Sequence, residues 1–201
     1  MKNRLILASE SPRRYELLKQ IGLDFKVVPS KVLEEFVQAE SPRDHVIRLA
    51  EAKAREVANK YPDRWVVAAD TIVCINESIL GKPKGREEAA EMLRRLSGQD
   101  HRVLTGFSVC RLEKGESDKE VVQTVVRMKP LTPEEIQWYV HTREPFDKAG
   151  GYAIQGIGSF MIESIQGSYT NVVGLPLCEL VQMLTRLGVI TISEFGVRIA
   201  E

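Results

Sequence analysis

Short apolar runs alternate with amphipathic stretches along the chain, and this pattern predicts a protein that mixes strands and helices. The run from Trp65 to Ile75 is almost continuously apolar and rich in β-branched residues, as expected of a strand buried on both faces. Two shorter runs, Leu5 to Ala8 and Phe25 to Val28, predict further strands near the beginning of the chain.

Helix starts are marked by a hydroxyl residue followed by proline, because the hydroxyl caps free amides and proline suits the first helical position. This signal occurs at Ser11-Pro12, Ser41-Pro42 and Thr132-Pro133. Apolar spacing and stop signals then predict helices from Pro12 to Ile21 before Gly22, from Pro42 to near Tyr61, over Arg86–Leu96, from Pro133 through Tyr139, and from about Pro176 to Leu187.

Two alternating runs, His101–Leu112 and Val121–Met128, predict a long antiparallel hairpin. The charged stretch between them, Glu113–Glu120, is expected to be a solvated turn, and a further strand is expected over Ser159–Ile165. Helices and strands therefore alternate in the α/β manner, with parallel and antiparallel pairs expected in one sheet.

Composition restricts the possible classes of protein. The chain has 201 residues, 28 Lys and Arg against 28 Asp and Glu, and 43% hydrophobic residues, which suits one domain or one domain with two lobes. The zero net charge argues against a protein that binds nucleic-acid polymers through a basic surface. No apolar run approaches the ~18 residues of a membrane helix, and the apolar stretch after Arg4 is too short for a secretory signal, so a cytoplasmic location is expected.

Cysteines and histidines give no sign of metal or disulfide chemistry. The three cysteines are far apart and form no CxxC pair, which excludes a disulfide framework and a thiolate zinc site. Each cysteine has apolar neighbours, so buried structural thiols are expected at Cys74, Cys110 and Cys178. The three histidines lack ligand spacing, and ordinary surface or partly buried side chains are expected at His45, His101 and His141.

Two charged residues interrupt otherwise apolar patterns. Lys53 falls in the middle of the apolar stripe of its predicted helix, where it must either extend its ammonium to water or meet a buried anion. Asp70 interrupts the longest apolar strand, so it is either a structural salt-bridged aspartate or a functional carboxylate at a sheet edge.

The strand, loop and helix at the beginning of the chain resemble an anion-binding site. The amides at the start of the Pro12 helix favour an anion, and Arg13 and Arg14 stand in that first turn, where positive side chains mildly oppose the helix dipole. Ser9 and Ser11 add hydroxyl groups. Either these arginines meet a multiply charged anion or they form an exposed basic turn; no Walker motif is present.

Three later segments add candidate ligands. Lys82 is framed by glycine and proline in Gly81–Gly85, which suggests a second phosphate contact. Glu34 and Glu35 lie in a loop-like stretch, and a carboxylate there is able to complete a Mg²⁺ site with Asp70, because Mg²⁺ is usually held by one or two carboxylates together with substrate phosphates. The stretch Asp147–Gly158 is dense in glycine, which lets a ligand approach the backbone, and does not match GxGxxG.

Together these segments resemble the Maf-like nucleotide pyrophosphatases. The likeness rests on motifs in the same order from residue 4 to residue 187, and the combination is specific although several pieces alone are not. They are Leu5-Ile6-Leu7-Ala8-Ser9-Glu10-Ser11-Pro12-Arg13-Arg14, Lys53-Ala54, Ala69-Asp70-Thr71, Gly81-Lys82-Pro83, Met92-Leu93-Arg94-Arg95-Leu96-Ser97-Gly98, Asp147-Lys148-Ala149-Gly150 and Val173-Gly174-Leu175-Pro176-Leu177.

The resemblance implies hydrolysis of nucleoside triphosphates to a monophosphate and pyrophosphate, with a divalent cation, Mg²⁺ or Mn²⁺, in a cleft between two lobes of one mixed twisted sheet flanked by helices. It implies a single domain over residues 1–201, and it allows a homodimer, because dimers are common in the family. The stretch Asp147–Gly156 is similar to the branch that acts on dTTP and UTP. Residues 188–201 match nothing in the family.

The resemblance also implies a role for each matching residue. Asp70 corresponds to the acceptor of the proton from water, with Glu34 and Asp70 as metal ligands. The positions that bind phosphates are Ser9, Arg13, Arg14, Lys53 and Lys82, and those tied to base preference are Arg13, Thr71 and Gln155.

Two other kinds of protein stay open. A nucleotide-binding regulator without turnover, linked to septum formation, would keep the phosphate site but need not keep Asp70. A purely structural α/β domain leaves Lys53, Asp70 and the paired arginines without explanation. The first 31 residues hold seven Lys or Arg against three acids, so a neutral chain is still able to form a locally cationic site for a small anionic substrate.

Overall fold

The computed structural model describes residues 5–37 and 39–191 of the chain. The residues before the first strand and most of the 188–201 tail therefore lie outside the described residues. The strands are β1 (Leu5–Leu7), β2 (Phe25–Val27), β3 (Trp65–Ile75), β4 (Ser78–Leu80), β5 (Asp100–Arg111), β6 (Glu116–Met128) and β7 (Ile162–Gln166). The helices are α1 (Pro12–Gln20), α2 (Pro42–Ala58), α3 (Arg86–Leu96), α4 (Pro133–His141), α5 (Tyr169–Val173) and α6 (Leu177–Arg186).

Over the described ranges the strands form one seven-stranded sheet in the order β2-β1-β3-β5-β6-β7, with β4 paired to β3. Strand β1 pairs in parallel with both β2 and β3, whereas β3 with β4 and β6 with β7 are antiparallel. The prediction of a mixed sheet in an α/β protein is confirmed. Among the described residues no helix combines the length and the apolar character needed to cross a membrane.

The chain divides into two compact units. Unit 1 consists of residues 1–70, 105–121 and 174–201, and unit 2 consists of residues 71–104 and 122–173. Unit 1 has a core in which the apolar faces of β1, α2 and β3 meet, with Ile6, Val57 and Val66 each at most 2% exposed. Unit 2 has its own core around α3 and α4, in which Leu93 and Tyr139 are fully buried. The single domain implied by the family stays a prediction.

The helix starts follow the predicted chemistry. Ser11, Ser41 and Thr132 each accept a hydrogen bond from the backbone amide three residues later, and each is followed by proline. Glu135 completes a capping box, because its side chain accepts from the Thr132 amide at 2.9 Å.

Several boundaries differ from the predictions. The turn between β5 and β6 is a short 3-10 helix over Leu112–Lys114. The remaining polar residues, 116–120, belong to β6, because pairing in the sheet overrides their polarity. Strand β7 begins at Ile162, since the preceding residues form a 3-10 helix over Gly156–Met161. The short elements β4 and α5 were not predicted, and α2 ends at Ala58 rather than near Tyr61.

Candidate active site

A buried lysine lies between two carboxylates in unit 1. The Nζ of Lys53 donates hydrogen bonds to Oδ1 of Asp70 at 2.7 Å and to Oε1 of Glu34 at 2.6 Å. The side chains of Lys53 and Asp70 are 9% and 8% exposed, whereas that of Glu34 is 48% exposed. Of the two alternatives expected for Lys53 from the sequence, the structure shows the second: its ammonium meets a buried anion instead of extending to water.

The secondary structure explains why these groups meet. Val46, Leu49 and Val57 make the buried face of α2, and Lys53 stands on that same face. Asp70 belongs to β3, whose earlier residue Val67 pairs in parallel with Leu7 of β1. Strand β1 ends at Leu7, whereas β3 continues past Asp70 to Ile75. Asp70 therefore lies inside its strand, beyond the last residue that pairs with β1, rather than at the strand end where open α/β sheets bind ligands.

The loop after β1 and the first turn of α1 bring Ser9 and Arg14 together. The Oγ of Ser9, which is buried, accepts from Nη1 of Arg14 at 3.2 Å and from the amide of Ser11 at 3.2 Å. The Nε of Arg14 donates to the carbonyl oxygen of Gly174 at 2.8 Å. These bonds fix the guanidinium plane at the amino-terminal end of α1, where helix amides also favour an anion.

Positive charge exceeds negative charge in this part of unit 1. Arg13, Arg14 and Lys53 stand against Glu34 and Asp70, and the first turn of α1 contains no acidic residue. Burial lowers the pKa of Arg14 from its ordinary value, and the negative charges of Asp70 and Glu34 oppose that shift. A lowered arginine pKa still leaves the side chain cationic near neutral pH.

The donor set suits a divalent cation held jointly with a substrate. Lys53 contacts Oδ1 of Asp70 and Oε1 of Glu34. The other carboxylate oxygen of each residue is the atom that would contact a cation. No group of three or more His, Cys, Asp or Glu able to hold a metal occurs in the described part of the chain. Two carboxylates without further protein ligands match the way Mg²⁺ is held when substrate phosphates supply the rest of its shell.

The remaining predicted site residues belong to unit 2 or to its boundary. Thr71 directly follows Asp70 in β3 and is half-buried, while Lys82 and Gln155 are exposed. Gly81, before Lys82, accepts a hydrogen bond at 3.0 Å from the amide of Gly150. The turn that carries Lys82 is therefore tied to the glycine-rich stretch that carries Gln155.

That glycine-rich stretch contains short 3-10 helices and an acidic anchor. Glu144 accepts hydrogen bonds from the amides of Ile157 and Gly158 and from the hydroxyl of Tyr139, at 3.0, 2.8 and 2.9 Å. A Cβ at Gly158 would stand 2.6 Å from the carbonyl oxygen of Ala153, so only glycine fits there.

The cysteine prediction is wrong at one position. Cys74 and Cys110 are buried, and burial raises the pKa of both thiols, as expected of structural cysteines. Cys178 is exposed, because it lies on the outer face of α6, whose buried residues are Leu180, Met183 and Leu184.

The histidines are more buried than predicted. His45 and His101 are each 2% exposed, whereas His141 is exposed. The Nε2 of His101 lies 2.6 Å from the hydroxyl of Tyr152, and burial lowers the pKa of His101 to about 4. This pair belongs to the core of unit 2 and contains no metal-ligand cluster.

Sequence reasoning missed the groups that orient the candidate site. The carbonyl of Gly174 holds Arg14 from 160 positions away, and no local pattern indicates such a contact. Glu40, His45 and Arg48 form a polar cluster at the start of α2, with Glu40 bonded to both of the others. The i, i+3 spacing of His45 and Arg48 places both on one face of α2, but it does not indicate their partner Glu40.

Comparison with known proteins places the chain in a family. The family model described as Maf-like protein matches residues 4–187. The chain is 54% identical over 188 residues to the dTTP/UTP pyrophosphatase of Syntrophotalea carbinolica, covering 92% of this chain and 86% of that protein. It is 50% identical over 193 residues to the dTTP/UTP pyrophosphatase of Syntrophus aciditrophicus, covering 96% and 94%.

A solved structure of the Staphylococcus aureus Ham1 protein is 15% identical, with a TM-score of 0.48, and the match covers 92% of this chain and 98% of that one. The family match and the relatives extend over nearly the whole chain. The family match includes the residues of the site described above. The chain belongs to the Maf-like protein family.

Proposed function

We propose that this protein hydrolyses dTTP and UTP to the nucleoside monophosphate and pyrophosphate. The observation that carries the proposal is the buried Lys53 ammonium between Asp70 and Glu34, close to the Ser9–Arg14 cradle. Lys53 and Asp70 are buried while Glu34 is half exposed. A buried ion pair contributes little net stability, so its presence beside a partly exposed carboxylate favours a chemical role. The relatives named dTTP/UTP pyrophosphatase, about half identical to this chain, support the same reaction.

In this mechanism Asp70 takes the proton from the attacking water. The water oxygen forms a bond to phosphorus, the anhydride bond between the α- and β-phosphates breaks, and pyrophosphate leaves with the electron pair. The hydrogen bond from Lys53 to Oδ1 holds the buried Asp70 carboxylate in one orientation, as a positioned general base requires. Ser9, Arg13 and Arg14 bind the phosphates and stabilise the charge that develops on them.

We assign the cation to Glu34 and Asp70. A bound Mg²⁺ or Mn²⁺ would supply Lewis-acid stabilisation of the phosphate oxygens. Lys53 holds the two carboxylates close together before the nucleotide arrives, so the repulsion between them is reduced.

The unit 2 residues extend the proposal to substrate recognition. Lys82 is assigned to the phosphates, and Arg13, Thr71 and Gln155 are assigned to base preference. The bond between Gly81 and Gly150 keeps the Lys82 turn and the Gln155 stretch in a fixed relation within unit 2. A homodimer and a cytoplasmic location stay predictions from the family resemblance.

The decisive variant is Asp70→Asn, which keeps the shape and removes the proton acceptor. Pyrophosphate release from dTTP and UTP should fall by about 10²–10⁴-fold, with an unchanged far-ultraviolet circular dichroism spectrum. Asp63→Asn is the matched control, because Asp63 is an exposed aspartate paired with the neighbouring Arg64. Retained activity in Asp70→Asn would refute the assignment of the base.

The substrate is tested by measuring pyrophosphate release from the eight common nucleoside triphosphates with Mg²⁺ and with Mn²⁺. We expect kcat/KM for dTTP and UTP to exceed that for the other six. Tight binding of nucleotides without release from any of them would overturn the enzymatic proposal and favour a nucleotide-binding regulator linked to septum formation.

A further inference from the structure

The residues that precede α2 lie along that helix without regular secondary structure. We call residues 31–37 the Glu34 loop. At its beginning the amide of Lys31 donates to Oε2 of Glu56 on α2, at 3.2 Å. In its middle Glu34 accepts from Lys53, also on α2. The loop is therefore tied to one helix at successive points.

Apolar packing does not explain the position of this loop. Leu33, Phe36 and Val37 are 73%, 59% and 55% exposed, so they bury little surface. The ring of Phe36 stacks on that of His45, with centroids 4.6 Å apart and an interplanar angle of 7°. Polar contacts must therefore supply most of the interactions that hold the loop in place.

A charged clamp supplies those contacts at the end of the loop. Arg48 Nε and Nη2 donate to the two carboxylate oxygens of Glu40 at 2.6 and 2.8 Å, and the Nδ1 of His45 lies 3.0 Å from Oε2. The side chain of Glu40 is only 10% exposed. Paired parallel bonds of this kind fix the guanidinium in orientation as well as in distance.

The clamp reaches the candidate active site through one peptide. Nη2 of Arg48 also donates to the carbonyl oxygen of Glu35 at 3.0 Å, next in sequence to Glu34. Glu40 is thus bonded to Arg48, and Arg48 is bonded to the backbone of Glu35, the residue next to Glu34. The Glu34 side chain is half exposed and accepts from Lys53, so its position depends on that ion pair and on the course of the loop backbone.

We propose that Glu40 is a positioning residue: by clamping Arg48 and His45 it holds the Glu34 loop along α2 and keeps the Glu34 carboxylate at Lys53 and Asp70. The consequence for metal binding rests on the proposed function, because Glu34 acts there as a ligand of the divalent cation. Residues that orient metal ligands typically contribute about 10–100-fold to metal affinity.

The test compares Glu40→Gln with the wild-type protein in three measurements. Hydrogen–deuterium exchange without nucleotide should become at least about 10-fold faster at the amides of residues 31–37, because in the variant the loop can open without first breaking the clamp. Binding of Mn²⁺ to the nucleotide-free protein, followed by electron paramagnetic resonance, should weaken by about 10-fold. The Mg²⁺ concentration for half-maximal activity should rise similarly, while kcat at saturating Mg²⁺ changes by less than about 3-fold.

Glu51→Gln is the matched control. Glu51 is also on α2 and forms an ion pair, with Lys119 at 2.8 Å, but it is not part of the clamp. This variant should leave all three measurements unchanged. A second variant, Arg48→Lys, keeps the positive charge and loses the paired donors, so it should show the same changes in a milder form. It replaces Glu40→Gln in the test if that variant fails to fold.

Unchanged exchange in the Glu34 loop, or unchanged Mn²⁺ binding, in folded Glu40→Gln would overturn the proposal. A fall in kcat with no change in the metal requirement would overturn it as well. If the wild-type protein releases no pyrophosphate, the proposed function fails, while the exchange and Mn²⁺ measurements still decide the role of Glu40.

Discussion

Replacing Lys53 by methionine removes the ammonium that compensates Asp70 and leaves a carboxylate in a site that is 8% exposed. At 2.7 Å the attraction between the pair is about 6 kcal/mol at an effective dielectric constant of about 20, before desolvation is subtracted. Breaking one side of a buried pair generally costs about 3–5 kcal/mol, because the remaining charge stays uncompensated. We therefore expect Lys53→Met to lower the free energy of unfolding by about 3 kcal/mol.

The companion variant separates this pair from ordinary packing losses. Asp70→Asn leaves the ammonium paired with Glu34, so the expected loss is only about 1 kcal/mol. The double variant contains no buried unpaired charge at either position and should lose about 2 kcal/mol rather than the sum of about 4. The coupling free energy is then about 2 kcal/mol.

The assay is urea unfolding of the wild-type protein and the three variants, followed by circular dichroism, with comparable m-values required for the comparison. The exposed pair formed by Glu51 and Lys119 is the reference, because ion pairs on the surface couple by about 0.2–1 kcal/mol. Losses that add within about 0.5 kcal/mol for Lys53 and Asp70 would refute the claim that the pair is desolvated.

Three further predictions concern the rest of the fold. Burial lowers the pKa of His101 from 6.5 to about 4, so between these pH values the unfolded chain binds a proton more readily than the folded protein does. The stability that depends on neutral His101 should therefore be fully present above pH 6.5 and be lost as the pH falls to 4. Urea unfolding should show this as a loss of up to about 3 kcal/mol in the free energy of unfolding, and His101→Gln should not show it. Thr132→Ala removes the capping box with Glu135 and should lower the free energy of unfolding by about 1 kcal/mol without changing pyrophosphate release. Gly106→Ala would place a Cβ 2.6 Å from the backbone of α2 and should destabilise by about 2 kcal/mol or more; a thermal melt unchanged within 1 °C would contradict this steric argument.

Local chemistry was sufficient for much of the fold. Strand β3 and helix α3 have the predicted bounds, because a continuous apolar run and an amphipathic helix are specified by their own residues. The acidic and basic residues 116–120 were misassigned to a turn, since their extended conformation comes from pairing within the sheet. Pairing depends on residues distant in the chain, which periodicity does not report.

The same division applies to the candidate site. Lys53 and Asp70 were identified from the sequence because each breaks an apolar pattern, and the structure buries both side chains as an ion pair, while their role in a site stays a prediction. Glu34 had a weaker signal, since the sequence offered Glu34 and Glu35 equally as loop carboxylates for a Mg²⁺ site and only the resemblance singled out Glu34. Glu40 and Arg48 gave no sign of their role, because their contact with the Glu34 loop exists only after the loop has folded against α2.

The neutral composition and the cationic site are consistent with each other. Elsewhere in unit 1 basic residues pair with acidic ones, as Lys119 does with Glu51 and Arg186 does with Asp118. Arg13 and Arg14 stand side by side in the first turn of α1, and Lys53 adds a third positive charge near Asp70 and Glu34. A small polyanion that brings its own divalent cation gains from such a concentrated site, whereas a long nucleic acid needs positive charge spread over a wide surface. The placement of charge, and not its total, therefore favours a nucleoside triphosphate as the substrate.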